Sequence, residues 1–211
     1  MKNLFLTISA AAVMGLLDSC TKEPLNNINE EESRIYITNY DSTAVFNAYK
    51  TFSIVDSVSV IRNNQLTEKA VTDYDVAVIA ALKARMGQQG YTLVNKNQNP
   101  DLGINVSRIY NTSTGIVGYP DYWGNYYGYW DPFYWGYPGY GYGFPTYYGT
   151  YQITEGALSI DALDLKDAGA DKKIKGVWMG LVRGSGVFRT SNVPSQINSL
   201  FDQSGYFKVN Q

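Results

Sequence analysis

A stretch rich in aromatic residues and glycine, Tyr119 to Tyr151, constrains the fold of this 211-residue chain more than any other part of its sequence. It contains twelve of the 19 Tyr, three of the four Trp and seven of the 20 Gly. Pro and Gly recur within it every few residues, as at Asp131-Pro132 and Phe144-Pro145, and each interrupts a regular backbone ladder or favours a turn. The stretch is therefore typical of neither a helix nor a core strand, and the regular elements must come from the sequence on either side.

The absence of His and the single Cys exclude several classes of chemistry. Without His, the protein cannot use a His acid–base relay, a Ser-His-Asp or Cys-His nucleophile pair, or imidazole metal ligands. With only Cys20, it cannot form an internal disulfide or a thiolate cluster. Its 17 basic and 19 acidic residues give no overall attraction to nucleic acid or anionic lipid. The composition therefore favours a protein that is not an enzyme and has no cofactor or metal.

The amino terminus predicts export and lipidation. Met1-Lys2-Asn3 is a short basic start, and Leu4 to Leu17 is an apolar run with the length of a secretory h-region, too short to span a membrane. Leu16-Leu17-Asp18-Ser19-Cys20 resembles the lipobox of bacterial lipoproteins, in which the Cys is diacylated and becomes the first residue. Residues 1–19 are therefore predicted to be a signal peptide and Cys20 the lipid anchor, since two or more acyl chains hold a protein stably on a membrane.

Residues 20–33 are predicted to be the lipidated Cys and a polar tether, in which Glu30-Glu31-Glu32 is a run of like charges. Lys22-Glu23, soon after the Cys, resembles the surface-export signal of Bacteroidetes-type lipoproteins. The predicted location is therefore the cell envelope, at the outer membrane, facing either the periplasm or the cell surface.

Residues 34–211 are predicted to form a single α+β domain. It has a mainly antiparallel sheet with two helices packed on one face and a large Tyr/Gly/Trp-rich insertion, residues 115–151, between two strands. Alternating or β-rich runs predict strands at 35–37, 49–55, 91–94, 101–110, 156–163 and 174–187. Helices are predicted at 72–86, where Thr72 and Asp75 resemble a capping box, and from Asn192 onward. Residues 56–69 show no period and are predicted to be a loop.

The aromatic stretch lies between a strand that ends near Tyr110 and a strand that starts near Gly156. We therefore expect it at an edge or tip of the sheet, outside the core. In that position its deletion would leave the fold intact.

Two further patterns are weak. Gly184-Ser185-Gly186 resembles a nucleophile loop, but because no His is present to activate the Ser, a glycine-containing strand end is the better interpretation. Four acids, Asp161, Asp164, Asp167 and Asp171, could hold calcium. They lack the order of an EF-hand loop and have lysines among them, so we interpret them as a solvated hairpin end.

Several short motifs occur in a characteristic order and spacing. They are Tyr49-Lys50-Thr51-Phe52, Gly90-Tyr91, Pro100-Asp101-Leu102, Gly156-x-Leu158-x-Ile160-Asp161-x-x-Asp164 and Val177-Trp178-Met179-Gly180, followed by the helix with Ile197. From Thr43 to Phe201 this pattern resembles the DUF4136 family of bacterial lipoproteins, with the aromatic stretch as an enlarged connection. The resemblance implies an envelope lipoprotein of uncharacterised function with no assigned catalytic residues.

Several roles remain open for the aromatic stretch. Nucleic-acid binding is disfavoured because no Lys or Arg occurs between Arg108 and Lys166. The main prediction is a lipid-anchored envelope protein that presents the stretch to a partner or to the membrane interface. The alternatives are a glycan- or peptidoglycan-binding module, because flat rings pack on sugar faces, and a low-complexity loop without a ligand. The residues predicted to make contacts are Tyr122, Trp123, Trp130, Tyr134 and Trp135.

Overall fold

The computed structural model describes residue 29 and residues 31–63, 65–110, 116–118, 130–143, 150–152 and 156–209. The chain divides into two units, Met1–Ser33 and Arg34–Gln211. In the first unit, the Asn29 side chain accepts hydrogen bonds from the backbone N–H groups of Glu31 and Glu32, each at 2.9 Å. The predicted signal peptide, Cys20 and most of the predicted tether lie outside the described residues.

The second unit is an α+β domain in which nine of the described strands form one mixed, mostly antiparallel sheet. The strands are β1 (Ile35–Tyr40), β2 (Thr51–Ile54), β3 (Val58–Arg62), β4 (Gln65–Ala70), β5 (Thr92–Leu93), β6 (Leu102–Tyr110), β7 (Ile116–Gly118), β8 (Gly141–Gly143), β9 (Thr150–Gln152), β10 (Ala157–Asp164) and β11 (Lys173–Arg183). The helices are α1 (Asp73–Gln88), α2 (Ala168–Asp171) and α3 (Val193–Asp202). In the described part of the chain, no helix is long and apolar enough to cross a membrane.

Three long antiparallel strands, β11, β10 and β6, form the centre of the sheet, whose main order is β1-β11-β10-β6-β2-β5. β2 and β3 run parallel to successive halves of β6, and β8 runs parallel to the start of β11. β7 and β9 pair with each other as a separate antiparallel ribbon. The register puts Asp161 of β10 between Asn105 of β6 and Met179 of β11, so these three side chains lie on one face.

Both faces of the central sheet are covered. We call the face with Arg108 the helix face, because Arg108 Nε lies 3.0 Å from Asp75 Oδ1 of α1. The opposite face, which carries Asn105 and Ser107 of β6, is called the second face. All eight residues of β10 are buried, and so are Asn105 and Ser107. The alternation of apolar and polar residues in 101–110 predicts a strand with one solvated face. Because both faces of β6 are buried, the alternation instead reflects one apolar and one polar face inside the core.

The helix predicted at 72–86 is confirmed as α1. The Thr72 side chain accepts a hydrogen bond from the Asp75 backbone N–H, and the Asp75 carboxylate accepts one from the Thr72 N–H at 2.8 Å. This reciprocal pairing satisfies two N–H groups that the first turn leaves without helical partners. The chain leaves the helix through Gly90 at φ +92°, a conformation that glycine adopts without strain.

The loop predicted for residues 56–69 is wrong, because these residues form the β3–β4 hairpin. β3 buries Val58, Val60 and Ile61, but a shift of register between Val60 and Ile61 breaks its alternation. Residues 65–69 of β4 are all exposed, so this strand has no apolar face for a sequence pattern to report. The connection between β10 and β11, where the sequence predicts a solvated hairpin end, contains the one-turn helix α2.

Candidate functional site

The second face of the sheet is polar although it is shielded from water. Its buried polar side chains are Ser53 of β2, Ser59 of β3, Asn105 and Ser107 of β6, and Ser159 and Asp161 of β10. Within this set, Asn105 Nδ2 donates a hydrogen bond to Ser107 Oγ at 3.3 Å. Because buried polar groups cost free energy unless they find partners, such a face has to be covered by groups that can supply hydrogen bonds.

Trp130 and Trp135, each 4% exposed, are buried against this face. Each ring lies over a strand glycine. A Cβ at Gly176 of β11 would come within 2.7 Å of the Trp130 ring, and a Cβ at Gly103 of β6 within 3.1 Å of the Trp135 ring. A Cβ at Gly176 would therefore displace the Trp130 indole, and a Cβ at Gly103 would crowd the Trp135 ring and come within 2.9 Å of Leu165. The two glycines thus provide the space in which the tryptophans pack.

Residues 130–143, which we call the aromatic turn, are held to the domain by several further contacts. The Tyr137 hydroxyl donates a hydrogen bond to the Leu165 carbonyl at 2.9 Å. Lys69 Nζ lies 2.7 Å from Asp131 Oδ2. At its far end, the turn joins the main sheet as strand β8. The aromatic turn is therefore a fixed part of the domain.

Asp161 is the most unusual acid of the second face, with 1% of its surface exposed. Burial raises the pKa of its carboxyl to about 8, and the neighbouring polar groups of Trp130, Asn105 and Ser159 lower that pKa only in part. The carboxyl is therefore mostly protonated at neutral pH. Among the described residues, Asn105 and both tryptophans line a cavity of about 10 Å³, which is near the least that one water molecule needs.

The aromatic turn leaves Phe133 in solvent. This ring is 79% exposed, the largest fraction among the large apolar side chains of the described residues. It lies in the chain between Trp130 and Trp135, both of which are buried. Its position is therefore set by a backbone that is anchored on both sides.

A groove of about 440 Å³ lies beside the aromatic turn. Its lining includes Asp56 after β2, Lys83 of α1, Asn95 and Lys96 in the turn after β5, and Tyr134. The Tyr134 hydroxyl accepts a hydrogen bond from the Asp56 backbone N–H at 3.2 Å, and Lys96 Nζ lies 3.8 Å from the centroid of the Tyr134 ring. Burial, followed by the charge of Asp56, raises the pKa of Tyr134.

The acids near the start of β11 have structural partners. The Tyr49 hydroxyl donates to Asp164 Oδ2 at 3.1 Å, and the Asp167 backbone N–H donates to Asp164 Oδ1 at 3.0 Å. Asp171 forms an ion pair with Lys175. The interpretation of all four acids as a solvated hairpin end is wrong for Asp164 and for Asp161, because both are buried.

The predicted contact residues lie in different environments. Trp130 and Trp135 are in the core, so the expectation that the aromatic stretch lies outside the core is wrong for this part of it. The reason is the pair of strand glycines on which the indoles pack. Tyr134 is half-buried at the wall of the groove. Tyr122 and Trp123 lie outside the described residues.

Sequence reasoning missed Phe133, Lys83 and Lys96. Phe133 follows a Pro in a turn, which indicates exposure. In the sequence, however, the many aromatic residues around it made Phe133 hard to distinguish from its neighbours. Lys83 and Lys96 belong to no local motif, because the fold brings the helix α1 and the turn after β5 to the same groove.

The sequence matches a family profile described as "Domain of unknown function (DUF4136)" over residues 37–205. A crystal structure of a DUF4136 family protein from Bacteroides thetaiotaomicron is 29% identical, with a TM-score of 0.68, and the similarity covers 84% of this chain and 99% of that chain. A PDZ domain protein from Parabacteroides distasonis is 15% identical, covering 86% of this chain and 41% of that chain, but its TM-score of 0.42 is too low to support an inference. No curated protein matches the sequence. Because the profile covers most of its length, the chain belongs to the DUF4136 family, whose function is unknown.

Proposed function

We propose that this chain is a non-enzymatic, lipid-anchored protein of the cell envelope that contacts a partner protein through the aromatic turn. The observation that carries the proposal is Phe133, a ring that is 79% exposed on a turn whose neighbouring tryptophans are buried. Aromatic residues, Phe among them, are enriched in protein interfaces relative to the rest of the surface. A backbone that is already held in place on both sides of the ring also loses less conformational entropy when a partner binds.

Lipid anchoring is supported by the amino-terminal sequence. A basic start, an apolar run and a lipobox-like segment precede Cys20 in the correct order. A polar tether from Thr21 to Ser33 would reach roughly 45 Å when extended, at about 3.5 Å per residue. That length would allow the domain to meet a partner in the membrane or at its surface. The proposed site is the outer membrane, on either its periplasmic or its external side.

A non-enzymatic role is supported by the burial of Asp161, whose pKa is strongly raised. A strongly shifted pKa in a cleft is a common sign of a catalytic acid or base. Asp161 has such a pKa, near 8, but it is 1% exposed and lies beneath the aromatic turn. The chain also has no His that could act in its place.

The alternative is a glycan-binding module that uses the five predicted contact residues. Trp130 and Trp135 pack their rings on the sheet and have almost no surface for a sugar. Tyr134 lies at the wall of the 440 Å³ groove, and Tyr122 and Trp123 lie outside the described residues. Partner contact through Phe133 therefore has the stronger support.

Site-specific cross-linking tests the proposed contact. A photoreactive phenylalanine analogue at position 133 of the anchored protein should form one discrete adduct in intact cells. The matched control is the same analogue at Val76 of α1, which is 54% exposed. No adduct at position 133, or the same adducts at both positions, would contradict the proposal.

The same surface can be tested against lipid. The Cys20→Ala chain, with and without Phe133→Ser, is mixed with vesicles of phosphatidylethanolamine and phosphatidylglycerol. We expect neither protein to sediment with them. Sedimentation that depends on Phe133 would assign the ring to the membrane interface instead.

Fractionation of cells tests the anchor. Cys20→Ala should move the protein from the membrane fraction to the soluble fraction, because the proposed acyl chains are its attachment. Continued recovery with membranes would disprove the role of Cys20.

A further inference from the structure

The groove beside Tyr134 has features of a ligand site that are separate from the exposed Phe133 ring. Its volume of about 440 Å³ falls within the range of pockets that hold small ligands, roughly 300–1,000 Å³. Its lining combines three apolar side chains, Ile54, Leu93 and Val94, with Tyr134 and six polar residues. Polar groups in such a site fix the orientation of a ligand.

Within the described part of the chain, the groove has two cations without a protein counter-ion. Lys83 and Lys96 both line it, and neither forms an ion pair with a carboxylate of the described residues. Lys69, which also lies near the aromatic turn, differs because it pairs with Asp131. The two groove lysines can therefore pair with a negative charge on a ligand.

The two amide side chains of the groove add further donors. The side-chain oxygen of Asn95, Oδ1, accepts a hydrogen bond from the Asn97 backbone N–H at 3.0 Å. The side-chain oxygen of Gln98, Oε1, accepts one from the Asn95 backbone N–H at 2.8 Å. With both oxygens engaged in the turn, the NH₂ groups of Asn95 and Gln98 remain as hydrogen-bond donors. Together with the lysines, they make this side of the groove rich in donors, which matches an oxygen-rich anion.

Tyr134 contacts the Lys96 ammonium group and restricts which ligands can stack on its ring. Lys96 Nζ lies 3.8 Å from the ring centroid, within the range of a cation–π interaction. The Asp56 N–H holds the Tyr134 hydroxyl at 3.2 Å. The Lys96 ammonium therefore occupies a face of the ring that a nucleobase would need for stacking. The carboxylate of Asp56 also lines the groove and can accept hydrogen bonds from ligand hydroxyls.

We propose that this groove binds a small acidic saccharide. Its carboxylate or phosphate pairs with Lys83 and Lys96, and its hydroxyls bind Asp56 and the amides of Asn95 and Gln98. The site goes beyond the proposed partner contact, because its polar side chains come from the loop after β2, from α1 and from the turn after β5 rather than from the Phe133 ring.

Isothermal titration calorimetry with three sugars tests the inference on the full chain. Glucuronate carries a carboxylate, glucose 6-phosphate carries a phosphate, and glucose carries no charge. We expect at least one acidic sugar to bind at least about tenfold more tightly than glucose, the effect of a hydrogen bond to a charged group. The tighter of the two acidic sugars identifies the anion that the groove prefers.

Variants separate the groove from other surfaces. Lys83→Gln with Lys96→Gln should weaken binding of the preferred acidic sugar about tenfold or more, whereas Lys96→Arg, which keeps the charge, should retain it. Lys173→Gln removes the same charge from an exposed position on β11 and should have no effect. Phe133→Ser should also leave sugar binding unchanged, so failure of the partner contact and failure of the groove are distinguishable.

Three results would overturn the inference. One is that no sugar binds at millimolar concentration. Another is that glucose binds as tightly as the acidic sugars. The third is that the double Lys variant and the Lys173 control bind the acidic sugar equally well.

Discussion

Replacing Asp161 by Asn should change how the stability of this protein depends on pH. Burial holds the pKa of this carboxyl at about 8 in the folded state, against an ordinary value of 3.8 that we take for the unfolded chain. Between these values, the folded state binds more protons at this site than the unfolded state. The contribution of this carboxyl to the free energy of unfolding is therefore fully present below about pH 4 and falls as the pH rises to about 8. Above about pH 8 the contribution no longer changes with pH.

The expected effect is large for a protein of this size. Each unit of pH inside the window costs the wild type about 1.4 kcal/mol. From about pH 5 to about pH 8 the free energy of unfolding should therefore fall by roughly 4 kcal/mol, out of the typical total of about 5–15 kcal/mol. The amide of the Asp161→Asn variant has no proton to lose in this range. The free energy of unfolding of the variant, relative to that of the wild type, should therefore increase by the same amount as the pH rises.

Denaturant unfolding followed by tryptophan fluorescence measures this difference between about pH 5 and pH 9. Subtracting the wild-type value from the Asp161→Asn value cancels the other groups that titrate in the same range. Asp73→Asn removes a carboxylate from an exposed position at the start of α1 and is the matched control. A difference between Asp161→Asn and wild type that is constant across the range would refute the argument, because it would mean that the buried carboxyl has an ordinary pKa.

Two further predictions concern the packing of the aromatic turn. Trp130→Ala should lower the free energy of unfolding by roughly 3–5 kcal/mol, because it removes a buried ring. Phe133→Ala, at the exposed ring, should change it by less than about 0.5 kcal/mol. Equal losses for the two variants in denaturant unfolding would contradict the burial of Trp130. Gly176→Ala should cost about 1–3 kcal/mol, because its Cβ would come within 2.7 Å of the Trp130 ring. In the same assay, an unchanged midpoint for Gly176→Ala would show that the indole does not pack there.

The elements with strong local signals could be predicted from the sequence. α1 begins with a reciprocal cap between Thr72 and Asp75 and continues with a regular apolar stripe, so its start and length follow from neighbouring residues. The long strands β6 and β10 show the alternation of a sheet. The β3–β4 hairpin could not be predicted, since residues 65–69 are exposed and β4 has no apolar face for a sequence pattern to report.

The candidate site was harder to predict because it depends on contacts between distant residues. Alternation in β6 places Asn105 on the face opposite the apolar residues, which ordinarily means solvent. In the fold, that face is covered by Trp130 and Trp135, which come from a stretch whose composition is typical of an irregular loop. The glycines at positions 103 and 176 were the available signal, because a glycine inside a strand often marks the close approach of another group.

The proposed contact requires an aromatic turn that is fixed to the sheet, and amide hydrogen exchange measures this most directly. The Tyr137 N–H donates to the Pro132 carbonyl at 2.8 Å, and the Gly136 N–H donates to the Phe133 carbonyl at 3.1 Å. We predict that these amides exchange at least about tenfold more slowly than in an unstructured peptide. In Trp130→Ala they should lose this protection while the amides of β6 keep theirs. Exchange of both amides in the wild type at the rate of an unstructured peptide would contradict the claim that Phe133 is presented on a fixed turn.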